Sequence, residues 1–123
     1  MLLDEAGEAS SIAELVDRFA DQSWLYEITD LHVDEKRAAD EAGAVRYYPQ
    51  GLDTHEPVET GDGQYVVVVD GDLVTTGHVG VDTDDYVQGR VIVTGNLRAG
   101  SLSFANGARL VVEGSAHIAF GRP

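Results

Sequence analysis

The residues that could do chemistry lie in a few short stretches. Asp82, Asp84 and Asp85 place three carboxylates within four residues, and hard oxygen ligands at such density suit calcium. Their spacing is not that of an EF-hand loop, and a solvated acidic insertion accounts for the run equally well. Ser115 and His117, two residues apart, would share one face of a strand, as a nucleophile and its base must. Neither EGSAH nor AGSLS, however, has the Gly-x-Ser-x-Gly form of a nucleophile elbow. GDLVTTGH has five residues between Gly71 and Gly77 and a histidine where a phosphate-binding loop needs lysine, and GDGQYV lacks the third glycine of a dinucleotide fingerprint. Both read as turns. His32, His55, His78 and His117 are scattered without His-x-x-x-His spacing, and THEPVE sets His55 beside Glu56 and Glu59 in a proline-bearing loop. No catalytic constellation emerges. The chain reads as a non-enzyme without cofactor or metal, with Asp82, Asp84 and Asp85 as the residual metal candidates.

Composition narrows the classes further. The 123 residues suffice for one ordinary domain, and the absence of cysteine removes disulfides, thiolate metal sites and cysteine nucleophiles together. The N-terminus, MLLDEAGEASS, carries acids where a secretory signal needs bases, and no segment approaches a membrane span, so a cytoplasmic location is expected. Against 8 basic residues stand 22 acids, a net charge of −14. Residues 1–63 hold 16 acids and 4 bases, whereas residues 64–123 hold 6 and 4. A field of this sign repels nucleic acid and anionic membrane and steers a basic protein inward.

The elements that must position these groups divide into two textures. Ser11 with Glu14 has the form of a capping box, and Ile12, Leu15, Val16, Phe19 and Ala20 share one helical face, predicting a helix over about 11–22. Trp24–Val33 reads as a short strand or an irregular connector. DEKRAADEAG reads as a second helix stopped by Gly43, and VRYYPQGLDTHEP as a strand end followed by a loop. Gly61-Asp62-Gly63 marks a boundary between an acidic region, 1–63, and a repeat region, 64–123, the two forming one cooperative domain.

From Gln64 onward, YVVVV, RVIV and RLVV are β-branched runs, each closing on a glycine: Gly71, Gly95 and Gly114. Their separation, near 20 residues, is that of an architecture in which each repeat is one coil. Leu73, Leu97 and Ala116 are expected to point inward at equivalent places, as are Val79, Leu102 and Ile118, with glycines taking positive φ at the corners. The fold class is thus mainly β with N-terminal α: a short right-handed parallel β-solenoid of about three coils, flanked by one or two helices. An antiparallel meander or sandwich is the alternative.

The phrases VVVDGDLVTTG, VIVTGNLRAG and LVVEG resemble the strand-then-Gly-Asp/Asn-Leu repeats of bactofilins, the polymer-forming bacterial cytoskeletal proteins, and of related bacterial β-helix domains, over residues 65–121. The resemblance implies a right-handed parallel β-helix with an apolar interior and no catalytic centre.

Two functional readings follow. In the first, the chain is a protein-binding module of immunity or inhibitor type whose acidic half docks a basic partner through Glu14, Asp17, Asp21, Glu27, Asp30, Asp34 and Glu35, with Trp24 and Tyr26 as apolar anchors. In the second, the last coil self-associates through Leu110, Val112, Ile118 and Phe120, giving a homodimer or a filament. A carbohydrate-active β-helix enzyme is disfavoured, because three coils make too short a groove.

Overall fold

The computed structural model describes residues 1–84 and 87–119. Its N-terminal part holds four short helices, α1 (Leu3–Ala6), α2 (Ile12–Arg18), α3 (Tyr26–Thr29) and α4 (Val33–Glu41), with a two-residue strand, β1 (Glu8–Ala9), after the first. Ser11 caps α2 by accepting from the Glu14 amide at 3.1 Å, as its box form predicts. The Glu14 carboxylate turns instead to the Ser10 hydroxyl, which donates to it at 3.0 Å. The helix stops at Arg18, short of the expected residue 22, and the connector from Trp24 is a 3-10 turn (Ser23–Leu25) leading into α3 rather than a strand. Gly43, at φ +65, ends the α4 region as expected.

The remainder is a parallel β-solenoid. Its coils are β2 (Val45–Tyr48), β3 (Leu52–Thr54) and β4 (Val58–Glu59); β5 (Val66–Val69), β6 (Leu73–Thr75) and β7 (His78–Val81); and β8 (Arg90–Val93), β9 (Leu97–Ala99) and β10 (Ser101–Phe104). A fourth contributes β11 (Arg109–Val112) and β12 (Ala116–Ile118) among the described residues. They stack as three sheets, β1-β2-β5-β8-β11, β4-β7-β10 and β3-β6-β9-β12, with every pair parallel except β1 on β2. Parallel pairing excludes the meander.

The solenoid begins upstream of its recognisable repeat. VRYYPQGLDTHEP supplies two strands of a first coil and Val58–Glu59 the third, and Gly61–Gly63 lies between two coils of one continuous ladder. Its sequence hides this because Arg46, Tyr47 and Tyr48 stand where later coils carry valine, yet pair with Val67, Val68 and Val69.

Strand alternation explains the unbroken valine runs. Val67, Val69, Val91 and Val93 point into the bore, while Val66, Val68 and Ile92 point outward beneath the helices, where Ile12, Leu15, Phe19, Trp24 and Ile28 cover them. Both faces of this sheet are buried, so alternation of apolar with polar residues is lost. Each such side chain contributes about 1.5–3 kcal/mol when withdrawn from water.

Corners are made by close approach. The Gly95 amide donates to Gly71 O at 2.9 Å and the Gly114 amide to Gly95 O at 2.8 Å, forming a glycine column. A Cβ on Gly95 would lie 2.8 Å from Gly71 O, and one on Gly114 would lie 2.6 Å from Gly95 O. Gly51 and Gly71 take positive φ, but Gly95 and Gly114 do not; their requirement is space for the neighbouring corner. The polar residue after each glycine bridges coils: Asp72 Oδ1 accepts from the Asn96 amide at 2.8 Å, and Asn96 Oδ1 from the Ser115 amide at 2.8 Å.

In-register columns place Leu52, Leu73, Leu97 and Ala116 together. Val79 pairs with Leu102 as expected, but Ile118 pairs with Ala99 on the third sheet. The reason is that β12 follows the first corner of its coil, not the second.

Candidate functional site

The two ends of the solenoid differ. At the start, β1 lies antiparallel on β2, Leu2 bridges Glu59, and the Glu59 amide donates to Met1 O at 2.9 Å. Leu3 is fully buried in the bore, and the Tyr48 hydroxyl donates to its carbonyl at 2.9 Å. Asp4 is also buried, its Oδ1 accepting from the Gly61 amide at 3.0 Å. These residues plug the bore and cover the edges of the first and second sheets.

At the other end, burial decays by one coil. Val91 and Val93 are 0% exposed, whereas their partners Leu110 and Val112 are only half-buried. Ile118 is half-buried where Ala99 is buried, and Phe104 is 62% exposed where its partner Val81 is fully enclosed. Val111 and Leu25, at the edge of the interlayer between helices and sheet, are half-buried as well. Among the described residues, both apolar layers therefore open on the same end. Leu110, Val112 and Ile118 are brought together there; Phe120 lies outside the described residues.

The acidic set is divided by the fold. Glu14, Asp17, Asp21, Asp30 and Asp34 are exposed, and Tyr26 is 55% exposed. Trp24 is buried, its ring 5.0 Å from that of Phe19, so it packs the interlayer and is no surface anchor. Glu27 is also removed from the surface: its carboxylate accepts from Arg109 Nη1 at 2.8 Å and 3.2 Å and stands 3.8 Å from Arg90 Nε. Glu35 is half-buried, with Oε2 enclosed. Sequence spacing could not reveal this division, because the cations that claim Glu27 lie over 60 residues away.

This buried cluster shapes the charges around it. Burial and the neighbouring Arg109 lower the Arg90 pKa, opposed by Glu27 and Glu35. The hydrogen bond to Glu27 raises that of Arg109. Burial pushes the phenols of Tyr48 and Tyr65 up to about 12, while Tyr47 is raised by burial and by Asp70.

The chemistry candidates are absorbed into the ladder. Asp82 Oδ1 accepts from the Thr83 amide at 2.8 Å and from Asn106 Nδ2 at 3.0 Å, Asp84 is exposed, and Asp85 lies outside the described residues. Among the described residues, no three His, Asp or Glu side chains converge as a metal site. Ser115 is tied through its amide to Asn96, and His117 stands opposite Arg98. These last two residues border shallow grooves of about 390 Å³ and 290 Å³ on the third sheet.

A further cluster escaped the sequence reading. His78 bonds Ser101 Oγ through Nδ1 at 2.7 Å and Ser103 Oγ through Nε2 at 2.8 Å. Only the 23-residue register offset aligns them, so no local motif announces the group. Both ring nitrogens are engaged in linking coils.

No helix among the described residues is long and apolar enough to cross a membrane. No family model, curated protein or solved structure matches the chain.

Proposed function

We propose that this chain is a non-catalytic assembly module that docks end-on, with a second copy as its partner. The observation that carries this reading is the one-coil loss of burial at Leu110, Val112, Ile118 and Phe104, set against the plugged opposite end. Strand edges of three sheets surround that apolar patch, and edges of this kind are satisfied by adding strands. Because residues 1–9 occupy the first end, two copies meet last coil to last coil. That contact is isologous and closes as a dimer. Two coils of one hand facing each other run in opposite senses, so the junction strands pair antiparallel. The resemblance to bactofilins points the same way.

Sedimentation analysis of the chain and of Val112→Lys tests this. A concentration-dependent dimer that the lysine converts to a folded monomer is expected; a wild-type monomer at all concentrations overturns it.

A second reading rests on the outward carboxylates Glu14, Asp17, Asp21, Asp30 and Asp34, of which only Asp34 has a cationic neighbour within ion-pair distance among the described residues. Together these groups capture a basic cytoplasmic protein, with Tyr26 as an aromatic anchor, and charge accelerates the encounter. Immobilised chain should retain a partner at low salt and release it at high salt, and the five-fold Asn/Gln variant should not retain it. Retention indifferent to both changes counts against this reading.

A further inference from the structure

The plug at the first end covers a surface that matches the exposed last coil. Extending the observed register by one coil would set β11 of a second copy beside β2 and β12 beside β3. In the columns already present, Val112 then falls beside Tyr48 and Ala116 beside Leu52. His117 falls beside Asp53, continuing the column Asp53–Val74–Arg98–His117 with opposite charge when the imidazole is protonated. Leu110 would meet Arg46, whose guanidinium now donates to Gly7 O at 3.1 Å within the plug and to Gly43 O at 3.0 Å.

We infer that the first end is a latent docking face for the last coil of another copy, held closed in cis by residues 1–9. The closure differs in kind from the coil it replaces. β1 is two residues long and antiparallel, where a neighbouring coil would bring the four parallel residues of β11. On the second sheet a single bridge, Leu2 to Glu59, lies against the edge of β4. The edge of β3 has no strand against it among the described residues. In the bore Leu3 supplies the apolar contact that the next coil would make. Removing this plug changes the symmetry of association: the exposed first end accepts a last coil, the contact becomes head-to-tail, and a heterologous contact between stacked coils does not close. Residues 1–9 therefore decide between a dimer and a filament.

This inference takes the last coil as a docking end, as the proposed function does, and the test separates the two. In the full chain, Leu3→Asp puts a charge into the bore beneath the plug, and Ala9→Pro breaks β1 at an exposed position without touching the core. Both variants, verified as folded by circular dichroism, should grow with concentration into unbranched rods visible by negative-stain microscopy. If Leu3→Asp does not fold, Ala9→Pro decides. Adding Val112→Lys to either variant should abolish the rods, because every contact needs a last coil. Joining the plug to its edge through an oxidised Leu2→Cys/Glu59→Cys pair should hold the chain at its wild-type size. Folded plug variants that stay at wild-type size overturn the inference, as does aggregation that Val112→Lys leaves unchanged. A wild-type monomer whose plug variants form rods would sustain it while removing the dimer; a wild-type dimer whose variants do not grow would do the reverse.

Discussion

Glu27 and Arg109, 82 positions apart in sequence, meet at 2.8 Å and fasten α3 to the last described coil. Glu27 is buried while the Arg109 side chain is largely exposed, and Arg90 shares the carboxylate from within the interface. Their unequal burial sets the cost of losing either.

Glu27→Ala should destabilise the fold by about 3 kcal/mol, because it leaves the half-buried Arg90 without its nearest carboxylate. Arg109→Ala should cost at least as much, about 3 kcal/mol, because it strips the buried Glu27 carboxylate of its hydrogen-bond donor and leaves only Arg90 Nε, at 3.8 Å, beside it. Urea denaturation of both variants checks this, and a loss at Arg109→Ala no larger than that of an ordinary surface ion pair would contradict it.

Gly95→Ala should cost about 1–3 kcal/mol, because the added methyl meets Gly71 O and the Asp72 carboxylate at a corner that cannot open without separating the coils. Gly63→Ala, with nothing within 4 Å of its Cβ, should stay within about 0.5 kcal/mol of wild type. Thermal unfolding of the two chains distinguishes close approach from a general need for glycine.

Asn96→Leu retains bulk but withdraws the acceptor for the Ser115 amide, at a cost of about 1 kcal/mol. Amide exchange should quicken at Ser115, while the Leu97 amide, bonded to Ser115 O, loosens with it. Unchanged protection at both positions would refute the bridging role.

Tyr48 and Tyr65 ionise near 12 in the folded chain and near the ordinary tyrosine value, about 10, when unfolded. The folded state thus holds these protons more tightly. Their contribution to stability is complete below about 10 and is lost as pH rises from there toward 12. Absorbance titration should show Tyr48 and Tyr65, with Tyr47 raised beside them, ionising late and together with unfolding, and Tyr48→Phe should remove one late phenol.

The coiled architecture was legible because stacking demands the same residue types at each turn. Gly71, Gly95 and Gly114 sit at one corner in successive coils, and Leu73 and Leu97 fill one column, so the repeat is written along the chain. The first coil was not legible: a strand beside the helical layer can use Tyr47 and Tyr48 in place of valine, since Phe19 packs on one ring and the bore takes the other. Charge was equally plain as a sum and equally silent about placement. Asp30 and Glu27 look alike in sequence, yet one faces water and the other lies between α3 and the solenoid.

The sequence by itself determined the period, the corner residues and the acidic balance, all of which follow from local backbone geometry and composition. Only the tertiary structure decided which carboxylates remain at the surface, that His78 meets two serines, and that one end is plugged while, among the described residues, the apolar layers open at the other. Those facts depend on register between residues twenty or more positions apart. Neighbouring coils choose that register jointly, through the burial of both faces of a shared sheet.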